Sequence, residues 1–260
     1  MDPAKLSILK AFFPNPRPAI IYALSKVPEL ALKLNSDIKH LTMPSFIKND
    51  FLEQFPVLNN LESLTIESLE ALDSGVIHLT KESSQTLTKI ILDGTKITTT
   101  TLQELKACAN LEWLSVNKCQ FAENPFDALL DVLKSTIVTQ LFIKEVPHLT
   151  EQQIGELVSV RPMTRLGFRK TDTVGIGLFS VLQEIPNALI RLDLENFDEL
   201  TITHVVALLN AFQSLKAISF LDGAAIEAQL ATQSHTFKHP ALEELITPLG
   251  RCKNIPIETA

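Results

Sequence analysis

Apolar residues return along this chain in one short pattern, apolar-x-x-apolar-x-apolar, at a nearly constant step. The pattern is carried by Ile38/Leu41/Met43, Leu61/Leu64/Ile66, Leu87/Ile90/Leu92, Leu111/Leu114/Val116, Val138/Leu141/Ile143, Met163/Leu166/Phe168, Leu189/Leu192/Leu194 and Leu215/Ile218/Phe220. A degenerate ninth copy is Leu242/Leu245. Successive copies start 23 to 27 residues apart, a spacing that scattered aliphatics would not keep. Within each copy apolar positions alternate with others, which predicts a short strand with one apolar face.

Between the strands a second feature repeats: an apolar residue, then Thr, then a helical pattern, as in Ile97-Thr98, Leu149-Thr150 and Leu200-Thr201. This is the chemistry of a helix start. Thr150 is placed to cap with Gln153, and Leu149 to pack against Ile154 as a hydrophobic staple. The same offsets pair Ile97 with Leu102 and Leu200 with Val205. Asn124-Pro125 supplies an equivalent start ahead of Phe126, Leu129, Leu130 and Leu133. The repeating unit is strand, turn, helix, turn.

The best unit, TTTTLQELKACANLEWLSVNKC over 98–119, resembles the leucine-rich repeat family. The likeness is to its 26-residue, cysteine-containing type, related to ribonuclease-inhibitor-like repeats and found in F-box proteins and bacterial effectors. Elsewhere the position of Cys119 is taken by Leu69, Thr95, Val146, Thr171 and Phe197. The resemblance implies an α/β fold: a right-handed solenoid, or horseshoe, with a parallel sheet on the concave face and helices on the convex face. One such unit cannot bury its own apolar strand face, so neighbours must stack and the ends need caps. Residues 1–37 are expected to be an N-terminal helical cap, 38–247 a solenoid of about nine repeats, and 248–260 a C-terminal tail.

Composition narrows the function. No apolar run is long enough to span a bilayer, and the 8 glycines leave little room for glycine-lined phosphate loops. A net charge of −7 works against attraction to phosphate backbones, so neither membrane nor nucleic acid is an expected partner. The start Met-Asp-Pro-Ala-Lys lacks a secretory pattern, and the odd number of cysteines, Cys108, Cys119 and Cys252, points to reduced thiols. A monomer in the cytoplasm is expected, the host cytoplasm if the chain is a secreted bacterial effector.

In the geometry the resemblance implies, the third, fifth and seventh positions of each motif face the concave side. One column then runs His40, Ser63, Lys89, Trp113, Gln140, Arg165, Arg191, Ala217, Glu244. The next runs Thr42, Thr65, Ile91, Ser115, Phe142, Gly167, Asp193, Ser219, and the last contains Lys144, Arg169 and Glu195. The candidate partner-binding residues are therefore Trp113, Gln140, Phe142, Lys144, Arg165, Arg169 and Arg191. Aromatic and Arg side chains are the usual interface anchors, and Gly167 beside Phe142 is expected to leave a notch. The reading is protein recognition on the concave face, with a partner segment carrying acidic and apolar residues. The plainer alternative is a solvated face on which Asp193 and Glu195 satisfy Arg191 and Arg165. The resemblance also allows a ubiquitin-ligase substrate-recognition adaptor or a secreted effector acting on host proteins.

Catalysis finds no support. The chain lacks GxxxxGK[ST], GxSxG and HExxH motifs. Val174-Gly-Ile-Gly177 lacks the third glycine of a dinucleotide loop, and His235 and His239 lack a third metal ligand. Cys119 reads as a structural cysteine in the strand-to-helix turn. The run Arg161, Arg165, Arg169, Lys170 is a candidate phosphate patch but more ordinarily a solvated face. No catalytic residue, metal or cofactor is expected.

Overall fold

The computed structural model describes Ile21 and residues 38–185, 188–221, 241–247 and 250–253. The expected cap over 1–37, most of the expected tail, and His235 and His239 lie outside the described residues, Ile21 apart. The chain divides into two compact units, Met1–Val138 and Thr139–Ala260. Both are α/β, with strands and helices in alternation.

In the first unit the strands are β1 (His40–Met43), β2 (Ser63–Ile66), β3 (Lys89–Asp93) and β4 (Trp113–Asn117). All neighbours are parallel, and the register places His40, Ser63, Lys89 and Trp113 side by side. This is the first of the sequence columns. The motif aliphatics of these strands, such as Leu64, Ile66, Ile90 and Leu92, are fully buried. Among residues 38–138 the α-helices are α1 (Asn49–Gln54), α2 (Asp73–Thr80), α3 (Thr99–Leu105) and α4 (Phe126–Ser135), and consecutive helices pack on one another.

The second unit repeats the scheme. Strands β5 (Gln140–Ile143), β6 (Arg165–Arg169), β7 (Arg191–Glu195), β8 (Ala217–Leu221) and β9 (Glu244–Thr247) are parallel. Gln140, Arg165, Arg191, Ala217 and Glu244 stand in one row. Within the expected tail, Gly250–Lys253 forms β10, antiparallel to β9. The helices among its described residues are α5 (Glu151–Ser159), α6 (Gly177–Gln183) and α7 (Ile202–Ala211).

Helix starts follow their caps where a cap exists. Thr150 and Gln153 form the reciprocal capping box, with Leu149 and Ile154 both buried. Thr98 Oγ1 accepts from Thr100 N. At Thr201 the third helical residue is His204, whose Nδ1 accepts from Thr201 N at 3.1 Å. Asn124 Oδ1 accepts from Phe126 N at 3.0 Å, and the regular helix begins at Phe126, one residue after Pro125.

Candidate functional site

In each unit the third, fifth and seventh motif positions lie on the face of the sheet opposite the buried aliphatics. The second unit brings six of the seven expected residues onto this open face. Gln140 and Phe142 come from β5, Lys144 from just beyond it, Arg165 and Arg169 from β6, and Arg191 from β7. Trp113 belongs to β4 of the first unit, where its register neighbour is Lys89. The Lys89 ammonium sits 4.1 Å from the centroid of the indole ring, a cation–π contact.

Of the candidate cations in the second unit, Lys144, Arg169 and Arg191 each pair with a carboxylate of the same unit. Arg191 grips Asp193 with two nitrogens: Nε donates to Oδ1 at 3.1 Å and Oδ2 at 3.0 Å, and Nη2 donates to Oδ1 at 3.0 Å. This hydrogen bonding raises the Arg191 pKa; burial opposes it, and the charges of Asp193 and Glu244 add to it. Arg169 Nη1 pairs with Glu145 and lies 3.3 Å from Glu195 Oε1. Lys144 Nζ lies 3.3 Å from Glu195 Oε2. Lys170 pairs with Glu199 at 2.6 Å. Glu195 thus serves Lys144 and Arg169, where the sequence columns pointed to Arg165. The pairs around Glu195 and Asp193 are partly buried, so they hold the Lys144, Arg169 and Arg191 side chains in place.

The notch expected at Gly167 is not open. Gly167 faces Phe142 across the β5–β6 ladder, and its α-carbon lies so close to the Phe142 ring that a Cβ there would overlap Cδ1. The Phe142 ring fills the space that the missing side chain leaves. Phe142 and Gly167 are one packed pair, and the pocket the sequence pointed to is absent because Phe142 lies along the sheet. On the same strand as Phe142, Gln140 Oε1 is buried and accepts no hydrogen bond among the described residues.

The other sites considered in the sequence take structural roles. Gly175 N donates to Glu151 Oε1 at 2.7 Å, and Gly177 has no room for a Cβ because the Glu151 carboxylate abuts it. A carboxylate of the preceding repeat therefore occupies the amide that a phosphate would need. Cys119 is buried, 3.3 Å from Thr95 Oγ1, and burial pushes its pKa up to about 12. Burial raises Cys108 to about 11. Both shifts move away from the thiolate that nucleophilic chemistry requires. Among the described residues no group of three His, Cys, Asp or Glu side chains is placed to hold a metal ion, and no helix is long and apolar enough to cross a membrane.

Sequence reasoning missed the roles of Lys89, Glu145 and Glu151. Lys89 is legible in the Trp113 column; Glu145 sits in a turn, at a φ of 53°, outside any strand column. No family model matches the chain, and no curated protein matches it.

Proposed function

We propose that the chain is a leucine-rich-repeat solenoid, a monomer acting in the cytoplasm as a protein-recognition module through the open face of its sheet. The observation that carries the reading is the row structure of that face. Repeat spacing aligns Gln140, Arg165 and Arg191 in one row, and internal ion pairs fix Lys144, Arg169 and Arg191. Trp113 adds an aromatic anchor on the corresponding face of the first unit. A surface whose long side chains are already held loses little entropy when a partner docks. Because Lys144, Arg169 and Arg191 are balanced by Glu145, Asp193 and Glu195, shape and hydrogen bonding favour a partner strand or loop of mixed polarity over a strongly acidic one. The free thiols of Cys108 and Cys119 support a reducing compartment.

The test is affinity capture from lysate with wild type, Trp113→Ala and Arg165→Glu/Arg169→Glu, each first shown to fold by circular dichroism. A partner retained by wild type and lost by a variant supports open-face recognition. Equal recovery by all three sinks it.

A further inference from the structure

We propose that the turns 44–48 and 67–72 of the first unit form a separate docking surface for a basic, amphipathic segment of a partner protein. This goes beyond the open-face reading, since these turns follow the strands and carry none of the residues proposed there.

The first observation is an apolar side chain where the fold does not need it exposed. At the turn position six residues beyond the strand start, Thr95, Cys119, Val146 and Phe197 are buried and Thr171 is half-buried, whereas Leu69 is 57% exposed. Phe46, at the same offset in the preceding repeat, is 50% exposed, and Leu72 is 44% exposed. The two turns are tied together. Glu67 N donates to Met43 O at 2.9 Å, Ser68 Oγ donates to Ile47 O, and Leu72 N donates to Asn49 Oδ1 at 2.9 Å. Leu69 lies over the backbone of the next turn, where a Cβ on Gly94 would stand 2.8 Å from its Cδ2. The two turns that carry these three apolar side chains are therefore held side by side by hydrogen bonds.

The second observation fixes the chemistry of the occupant. Asp50, Glu53, Glu67 and Glu70 are exposed on these turns and on α1, with Lys48 and Lys96 the nearby cations. None of these four carboxylates makes an ion pair among the described residues, unlike Glu195 or Asp193. An apolar patch with an acidic rim is complementary to alternating basic and apolar side chains, and the attraction is strongest at low salt.

A fluorescent amphipathic peptide of Lys and Leu, with a Glu-for-Lys counterpart, tests this by anisotropy on the full chain. The Lys/Leu peptide is expected to bind, more weakly as salt rises. Leu69→Ser/Leu72→Ser should raise Kd about tenfold or more, since two leucines lose their burial. Glu67→Gln/Glu70→Gln should raise it about threefold at low salt only. Ile190→Ser/Val206→Ser, which alters exposed apolar residues of the second unit, should leave Kd within about twofold. All these positions are exposed, and circular dichroism checks folding. The proposal is overturned by absence of binding, by equal binding of the Glu peptide, by a Kd that the Leu69 and Leu72 changes leave in place, or by sedimentation showing that the patch instead pairs two copies of this chain.

Discussion

The Asp73 carboxylate holds the start of the helix after its own: Oδ1 accepts from Thr98 N at 2.8 Å, and Oδ2 accepts from Thr98 Oγ1 at 2.7 Å. Thr101 Oγ1 adds a third bond to Oδ1 at 2.5 Å. The arrangement recurs. Asn49, the first residue of α1, accepts from Leu72 N at the start of α2, and Glu151, the first residue of α5, accepts from Gly175 N just before α6. A helix start leaves several backbone N–H groups without an intrahelical partner. In these three places the previous repeat supplies the acceptor, so the order of one helix depends on its neighbour. Repeat folds derive their cooperativity from such nearest-neighbour terms.

Replacing Asp73 should therefore cost more than an ordinary exposed polar substitution. Asp73→Ala removes three hydrogen bonds that cross between repeats, and we expect a loss of about 1–2 kcal/mol, the range of a strong helix cap. Urea unfolding of both proteins measures it. A loss below about 0.3 kcal/mol would show that water replaces the carboxylate without cost.

The same carboxyl should make stability pH-dependent. Burial works to raise the Asp73 pKa, but the hydrogen bonds from Thr101 and Thr98 outweigh it and hold the group below its ordinary value. A depressed folded pKa means the folded state binds this proton less readily than the unfolded chain. The contribution is thus complete above the unfolded value of about 3.9 and is lost as pH falls through the folded value. The stability gap between wild type and Asp73→Asn should be constant from neutral pH to about pH 5 and shrink below about pH 4. A gap that stays level through acid would remove Asp73 from the titrating groups.

The strands and their facing were legible because the aliphatic step fixes both at once. Ile38, Leu61, Leu87 and Leu111 begin equivalent units, so His40, Ser63, Lys89 and Trp113 had to fall in register if the units stack. Helix starts with their own Thr cap were legible for the same local reason. The start of α6 was not, because its acceptor, Glu151, lies a repeat earlier in sequence. At the open face, sequence columns identified neighbours but not side-chain direction. Whether Phe142 stands up as an anchor or lies over Gly167 is a matter of its rotamer, which no spacing encodes. Likewise Arg169 finds Glu145 through a turn that leaves the strand pattern, so the charge balance became visible only in three dimensions.

The packing of Phe142 on Gly167 gives a direct test of that geometry. Gly167→Ala places a methyl group in the space of the Phe142 ring, and we expect it to destabilise by about 1–3 kcal/mol. In Phe142→Ala the same glycine substitution should cost under about 0.5 kcal/mol, because the obstructing ring is gone. A double-mutant cycle by thermal or urea unfolding reads the coupling. Equal costs in both backgrounds would mean that the ring does not rest on Gly167.

The shared carboxylate of Glu195 makes a further asymmetry measurable. Lys144 and Arg169 both reach it, but Arg169 also serves Glu145, so the two cations are not equivalent. Removing Lys144 leaves Glu195 still paired with Arg169. Removing Arg169 leaves Glu145 without this counter-ion and Glu195 with Lys144 alone, in a place where Glu195 is only 19% exposed. Arg169→Gln should therefore destabilise by about 1 kcal/mol more than Lys144→Gln at low salt, a difference that narrows as salt screens the carboxylates. Adding Glu145→Gln to Arg169→Gln should recover part of the loss, since the carboxylate left behind is the source of the cost. If Lys144→Gln and Arg169→Gln cost the same, or if Glu145→Gln makes Arg169→Gln worse, the open face is a set of independent solvated charges and the fixed scaffold proposed for partner recognition falls with it.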